Sequence, residues 1–112
     1  MSEVSAEPLA VPSVDGSVNG TVTLNGGSPR LVVRVEPYAG MSEGDEVQLR
    51  WDTGIMRTSR IESRVISAAA VGTSTLFAIP QSPPCAARVS YLIGRASGEW
   101  SVSRPLTVMV RA

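Results

Sequence analysis

From about residue 18 onward, apolar side chains recur at every second position in short runs separated by clusters of Gly, Pro, Asp and Ser. A period of two is the signature of strands that bury one face. Seven such runs are read from the chain. Gly20 to Leu24 is closed by Asn25-Gly26-Gly27, a strong turn sequence. Arg30 to Glu36 sets Leu31, Val33 and Val35 on one face, and Pro37 ends it. Glu46 to Asp52 sets Val47, Leu49 and Trp51 inward, entered from the polar turn Ser42-Glu43-Gly44-Asp45. Ile61 to Ser67 also tolerates a helical turn running into Ala68-Ala69-Ala70, stopped by Gly72. Thr75 to Ile79 aligns Phe77 with Ile79 and ends at Pro80. Gln81-Ser82-Pro83-Pro84 is a loop, because consecutive prolines remove donors and fix φ. Ala87 to Arg95 aligns Val89, Tyr91 and Ile93, and Leu106 to Arg111 aligns Leu106, Val108 and Val110. Between these two, Ala96-Ser97-Gly98 reads as a hairpin turn that places Trp100 and Val102 on the returning segment.

About seven short strands with almost no convincing helix predict an all-β, two-sheet sandwich; a small barrel is the alternative architecture. Trp51 decides between them, since a Trp inward on the third strand with a Tyr inward on the penultimate one fills the space between sheets in immunoglobulin-like sandwiches. Residues 1–17 carry Pro8, Pro12 and Gly16 among Ser and acids with no periodic pattern, and are expected to form a flexible leader or linker. Residues 18–112 are then the sandwich.

With 112 residues and 43% hydrophobic content, the chain has room for one domain and material for a core. Cys85 is the single cysteine, so no disulfide forms within the chain. It is read as an inert, half-buried thiol rather than a nucleophile, with pairing between molecules left as the alternative. His and Lys are absent, which excludes Ser-His-Asp and Cys-His catalysis and His-ligated zinc. No catalytic residue, metal site or cofactor is expected, and the chain is read as not an enzyme. Net charge is zero, and aromatic residues make up 4%, so neither a basic excess nor a stacking platform points to nucleic acid. The first twelve residues lack a signal-peptide pattern, and no apolar stretch is long enough to insert in a membrane.

The text from Val33 to Met41, VRVEPYAGM, followed by Gly44 to Trp51, GDEVQLRW, resembles a V-x-V-x-x-Y-x-G-M…G-D-x-V-x-L-x-W pattern. That pattern is similar to bacterial immunoglobulin-like repeats of large surface or secreted, adhesin-like proteins. The likeness continues through Ala70-Val71-Gly72, Phe77 to Pro80, Val89-Ser90-Tyr91 and Arg104 to Val108, covering most of residues 9–111. It implies a disulfide-free immunoglobulin-like domain that serves as a spacer, stalk or adhesion module at the cell surface or outside the cell. Neighbouring domains of the same chain or other proteins would be its partners. One segment departs from the pattern: Thr53 to Arg64 is longer and richer in Arg than a plain hairpin connection.

Three clusters bear on chemistry. The acids of Ser42 to Glu46 supply too few oxygens for calcium and no rigid cleft for acid–base work, so a solvated turn is preferred. Arg57, Arg60 and Arg64 belong to a dipolar charge distribution: residues 1–52 hold three Arg and eight acids, −5, and residues 53–112 hold seven Arg and two acids, +5. They are read as ordinary solvated side chains; the alternative is that the charge division lets modules dock head to tail or lets the basic side meet an anionic glycan or lipid surface. Trp100, beside a turn, packs under the adjacent Pro105 or at the sandwich edge, or else is partly exposed and binds a glycan or protein. Together Trp100 and the Arg57–Arg64 segment define the alternative function, a binding module. Weak self-association through edge strands is a second alternative.

Overall fold

The computed structural model describes residues 9–23, 30–80 and 85–111. Within them the chain runs β1 (Ser13–Val14), β2 (Thr21–Thr23), β3 (Arg30–Val35), β4 (Glu46–Asp52), β5 (Arg60–Val65), a 3-10 turn (Ala68–Ala70), β6 (Thr75–Pro80), β7 (Cys85–Gly94), β8 (Trp100–Val102) and β9 (Leu106–Arg111). The turn sequence at residues 25–27 and the loop at 81–84 lie outside the described residues.

Two sheets form, ordered β1-β3-β6 and β2-β9-β7-β4-β5, with β8 beside β7. The third and sixth strands pair in one layer while β4, β7 and β9 pair in the other, which is the connectivity of an immunoglobulin-like sandwich. Alternation dictates the core. Val33, Val35, Phe77 and Ile79 of the small sheet are buried against Val47, Leu49, Trp51, Val89, Tyr91, Ile93, Val108 and Val110 of the large one. Each of the larger side chains contributes about 1.5–3 kcal/mol by leaving water.

The expected leader is corrected in part. Ser13 and Val14 pair with Arg34 and Val33, Leu9 bridges Ser103, and Leu9, Pro12 and Val14 are buried. Asp15 takes two hydrogen bonds from Arg34, at 3.1 and 3.0 Å, fastening the turn after β1 to β3. Residues 9–17 are therefore part of the sandwich, because short apolar contacts and main-chain pairing hold them there; residues 1–8 lie outside the described residues.

The last hairpin is divided where Pro105 cannot donate to a ladder. Pairing survives the break through Ser103, whose N–H donates to Tyr91 O at 2.9 Å while its hydroxyl accepts from Tyr91 N–H at 3.0 Å. The fourth run realises both of its sequence options in succession, as strand β5 and then the 3-10 turn, and Gly72 follows at φ 87°.

Candidate functional site: the outer face and free edge of the large sheet

Because Val47, Leu49 and Trp51 point inward, Glu46, Gln48 and Arg50 point outward, and the registers of β5, β7 and β8 extend this into rows across the sheet. One row reads Val65, Glu46, Gly94, Trp100; the next reads Ser63, Gln48, Leu92, Val102; a third begins Ile61, Arg50, Ser90. Exposed apolar side chains therefore flank a polar centre. Ile61 and Val65 are 65% and 72% exposed on one side, and Trp100 is 52% exposed beside Val102 on the other.

Trp100 lies over Gly94, its cross-strand partner: a Cβ built on Gly94 would stand 2.7 Å from the indole Cη2 and Cζ2. Only glycine leaves that seat open, and the indole keeps its other side toward solvent. The edge position expected for Trp100 and its partial exposure both hold.

The arginines separate. Arg57 is exposed in the connection between β4 and β5. Arg60 pairs with Glu62 at 3.5 Å. Arg64 turns toward the small sheet, its guanidinium 5.2 Å from the centre of the Phe77 ring and donating to Leu76 O at 3.4 Å. Trp100 stands three strands away from them, roughly 14 Å in the direction of the sheet's hydrogen bonds. No single constellation joins the four residues. The Arg-rich segment is built rather than loose: Gly54 N–H donates to Asp52 Oδ1, Thr53 N–H to Ser59 Oγ, and Ser59 Oγ to Ile55 O. Against it, Arg50, Asp52, Met56, Ser59 and Ile61 line a shallow notch of about 480 Å³.

Sequence reasoning missed a second assembly on the link between the two sheets. Asp45 is buried, and its Oδ2 accepts from the Tyr38 hydroxyl at 2.7 Å and from Ser42 N–H at 3.0 Å. The acidic turn is thus only partly solvated, which corrects the expectation for Asp45. The Arg95 guanidinium stacks 5.2 Å from the Tyr38 ring centre and donates to Gly40 O and Ala39 O. Burial, then the bond to the Asp45 carboxylate, pushes the Tyr38 phenol far above its ordinary range. Burial alone raises Tyr91, whose hydroxyl donates to Ala10 O at 2.6 Å. The signal was present: Asp45 is in phase with Val47, Leu49 and Trp51, so alternation points it inward.

Among the described residues no group of three or more Asp, Glu or Cys side chains is placed to hold a metal ion, and no helix is long and apolar enough to cross a membrane. The motif residues Tyr38, Gly40 and Asp45 are engaged in joining the sheets, and Trp51 in filling the space between them. Compared with known proteins, the chain matches no family model and no curated protein.

Proposed function

We propose that this domain is a non-catalytic spacer or adhesion module of a bacterial surface or secreted protein, related to the immunoglobulin-like repeats its motifs resemble. One observation carries this reading: the first and last strands of the large sheet run parallel. Thr21, Val22 and Thr23 lie beside Met109, Val110 and Arg111, and Leu9 meets Ser103 in the same sense. Tension applied along the chain draws β2 backward and β9 forward. Parallel neighbours then load in shear, so their hydrogen bonds share the force instead of parting one by one. A stalk element benefits from that geometry.

Tandem copies stretched between their ends test this. Cooperative unfolding at forces well above those of an end-unzipped hairpin is expected, lowered by Val22→Pro, which removes a donor from β2. Unfolding at hairpin-like force, unchanged by Val22→Pro, would overturn it. Location outside the cell is checked by protease treatment of intact source cells.

Trp100 favours a second reading, recognition of a glycan, because an indole with an open face stacks on sugar rings. Glycan binding abolished by Trp100→Ala would favour this over the spacer.

A further inference from the structure

We infer that the outer edge of β5 pairs with the same edge of a second copy of this chain, antiparallel and centred on Ser63. β5 ends the order of the large sheet, and among the described residues no strand lies beyond it. Its six residues, Arg60–Val65, contain no Pro, Gly or bulge to blunt the edge.

The direction of its main-chain groups follows from the ladder. Ile66 N–H donates to Asp45 O at 2.8 Å, so in the alternating antiparallel pattern Arg64, Glu62 and Arg60 also turn their N–H and C=O toward β4. Ile61, Ser63 and Val65 turn theirs outward. The far side of the sheet agrees in phase, with Tyr91 and Arg95 bonded to Ser103 and Glu99. A two-fold pairing must join outward-turned residues to each other, which restricts its centre to a residue.

Charge then selects the centre. Centring on Glu62 opposes Glu62 to itself and Arg60 to Arg64, and centring on Arg64 opposes that arginine to itself. Centring on Ile61 carries the pairing off the strand into the 53–59 connection, and centring on Val65 carries it off the other end toward the 3-10 turn at Ala68–Ala70. Centring on Ser63 sets Glu62 opposite Arg64 twice, Ile61 opposite Val65 twice and Ser63 opposite Ser63, with about six main-chain hydrogen bonds. Ile61 and Val65, both exposed in the single chain, cover each other on the outer face. Opposite charges within one strand at i and i+2, symmetric about Ser63, are what an isologous edge requires.

Sedimentation of the whole chain over a concentration series tests this, with folding of each variant checked by circular dichroism. A concentration-dependent dimer is expected. Glu62→Arg alone and Arg64→Glu alone each weaken it by roughly tenfold or more, since both cross-strand pairs become like-charged. Mixing the two variants restores a heterodimer, because positions 62 and 64 are then both basic in one chain and both acidic in the other. Ser63→Pro, which removes an outward donor and leaves the β4 ladder intact, abolishes the dimer. A monomer up to about 1 mM, or a dimer indifferent to these substitutions, or a mixture that does not re-associate, would overturn the pairing. The stretching experiment on tandem copies reads β2 and β9 instead, so the two proposals fail separately.

Discussion

The Tyr38 hydroxyl donates to Asp45 Oδ2 at 2.7 Å, tying the connection out of the small sheet to the entry of the large one. The carboxylate also accepts from Ser42 N–H, so one buried group organises the whole turn. Asp45→Ala is expected to cost about 2–3 kcal/mol, because it removes charge-assisted bonds and leaves the Tyr38 hydroxyl without its acceptor. Tyr38→Phe should cost less, about 1 kcal/mol, and the double variant should fall short of the sum. Urea unfolding of the four proteins checks this; full additivity would show that the pair does not interact.

Alkali should unfold the domain through its tyrosines. Both Tyr38 and Tyr91 have folded-state pKa values above the ordinary value of 10.0. The stability they contribute is fully present below pH about 10 and is lost as pH rises toward the folded values, since the unfolded chain releases its phenolic protons first. Near-ultraviolet phenolate absorbance should therefore rise together with loss of β-sheet circular dichroism. Ordinary phenol titration in a chain that keeps its sheet signal would contradict the burial of Tyr91 and the hydrogen-bonded, half-buried setting of Tyr38.

Gly94→Ala should destabilise the domain by about 1–3 kcal/mol, because its methyl enters the seat of the Trp100 ring. The obstruction is a side chain, so Trp100→Ala should rescue most of the loss. Thermal melts of the single and double variants decide it; no rescue would place the strain in the backbone instead.

The two tryptophans should separate in fluorescence. Trp51 is fully buried, and its Nε1–H has no hydrogen-bond partner among the described residues, whereas Trp100 faces solvent. Trp100→Phe is expected to leave a blue-shifted emission resistant to acrylamide, and Trp51→Phe a red-shifted one that is readily quenched. The reverse assignment would move Trp51 out of the core.

Removing residues 1–16 should cost at least about 3 kcal/mol, from the lost burial of Leu9 and Val14. Tyr91 also loses its acceptor at Ala10 O. Removing only residues 1–7 provides the comparison; equal stability of both truncations would return the segment to a leader.

Much of this architecture was legible in the chain because alternation is a local property: a residue's phase decides which face it joins, and Val33, Leu49, Trp51, Phe77 and Tyr91 all went inward as their runs predicted. Asp45 obeyed the same phase, yet its polarity masked the signal. Leu9 and Val14 were hidden for another reason, since two-residue pairing leaves no period to detect. The candidate site was less legible. That Arg64 leans on Phe77 while Arg60 pairs with Glu62, and that Trp100 settles on Gly94, depends on which strands become neighbours.

The sequence by itself determined the class of fold, the inward rows and the absence of a disulfide within the chain, because these follow from residue type and a period of two. Only the tertiary structure decided that β2 and β9 run parallel, that β5 ends its sheet, and that Arg57, Arg60, Arg64 and Trp100 stand apart. Strand order and edge identity are set by contacts between residues distant in the chain, and no local pattern records them.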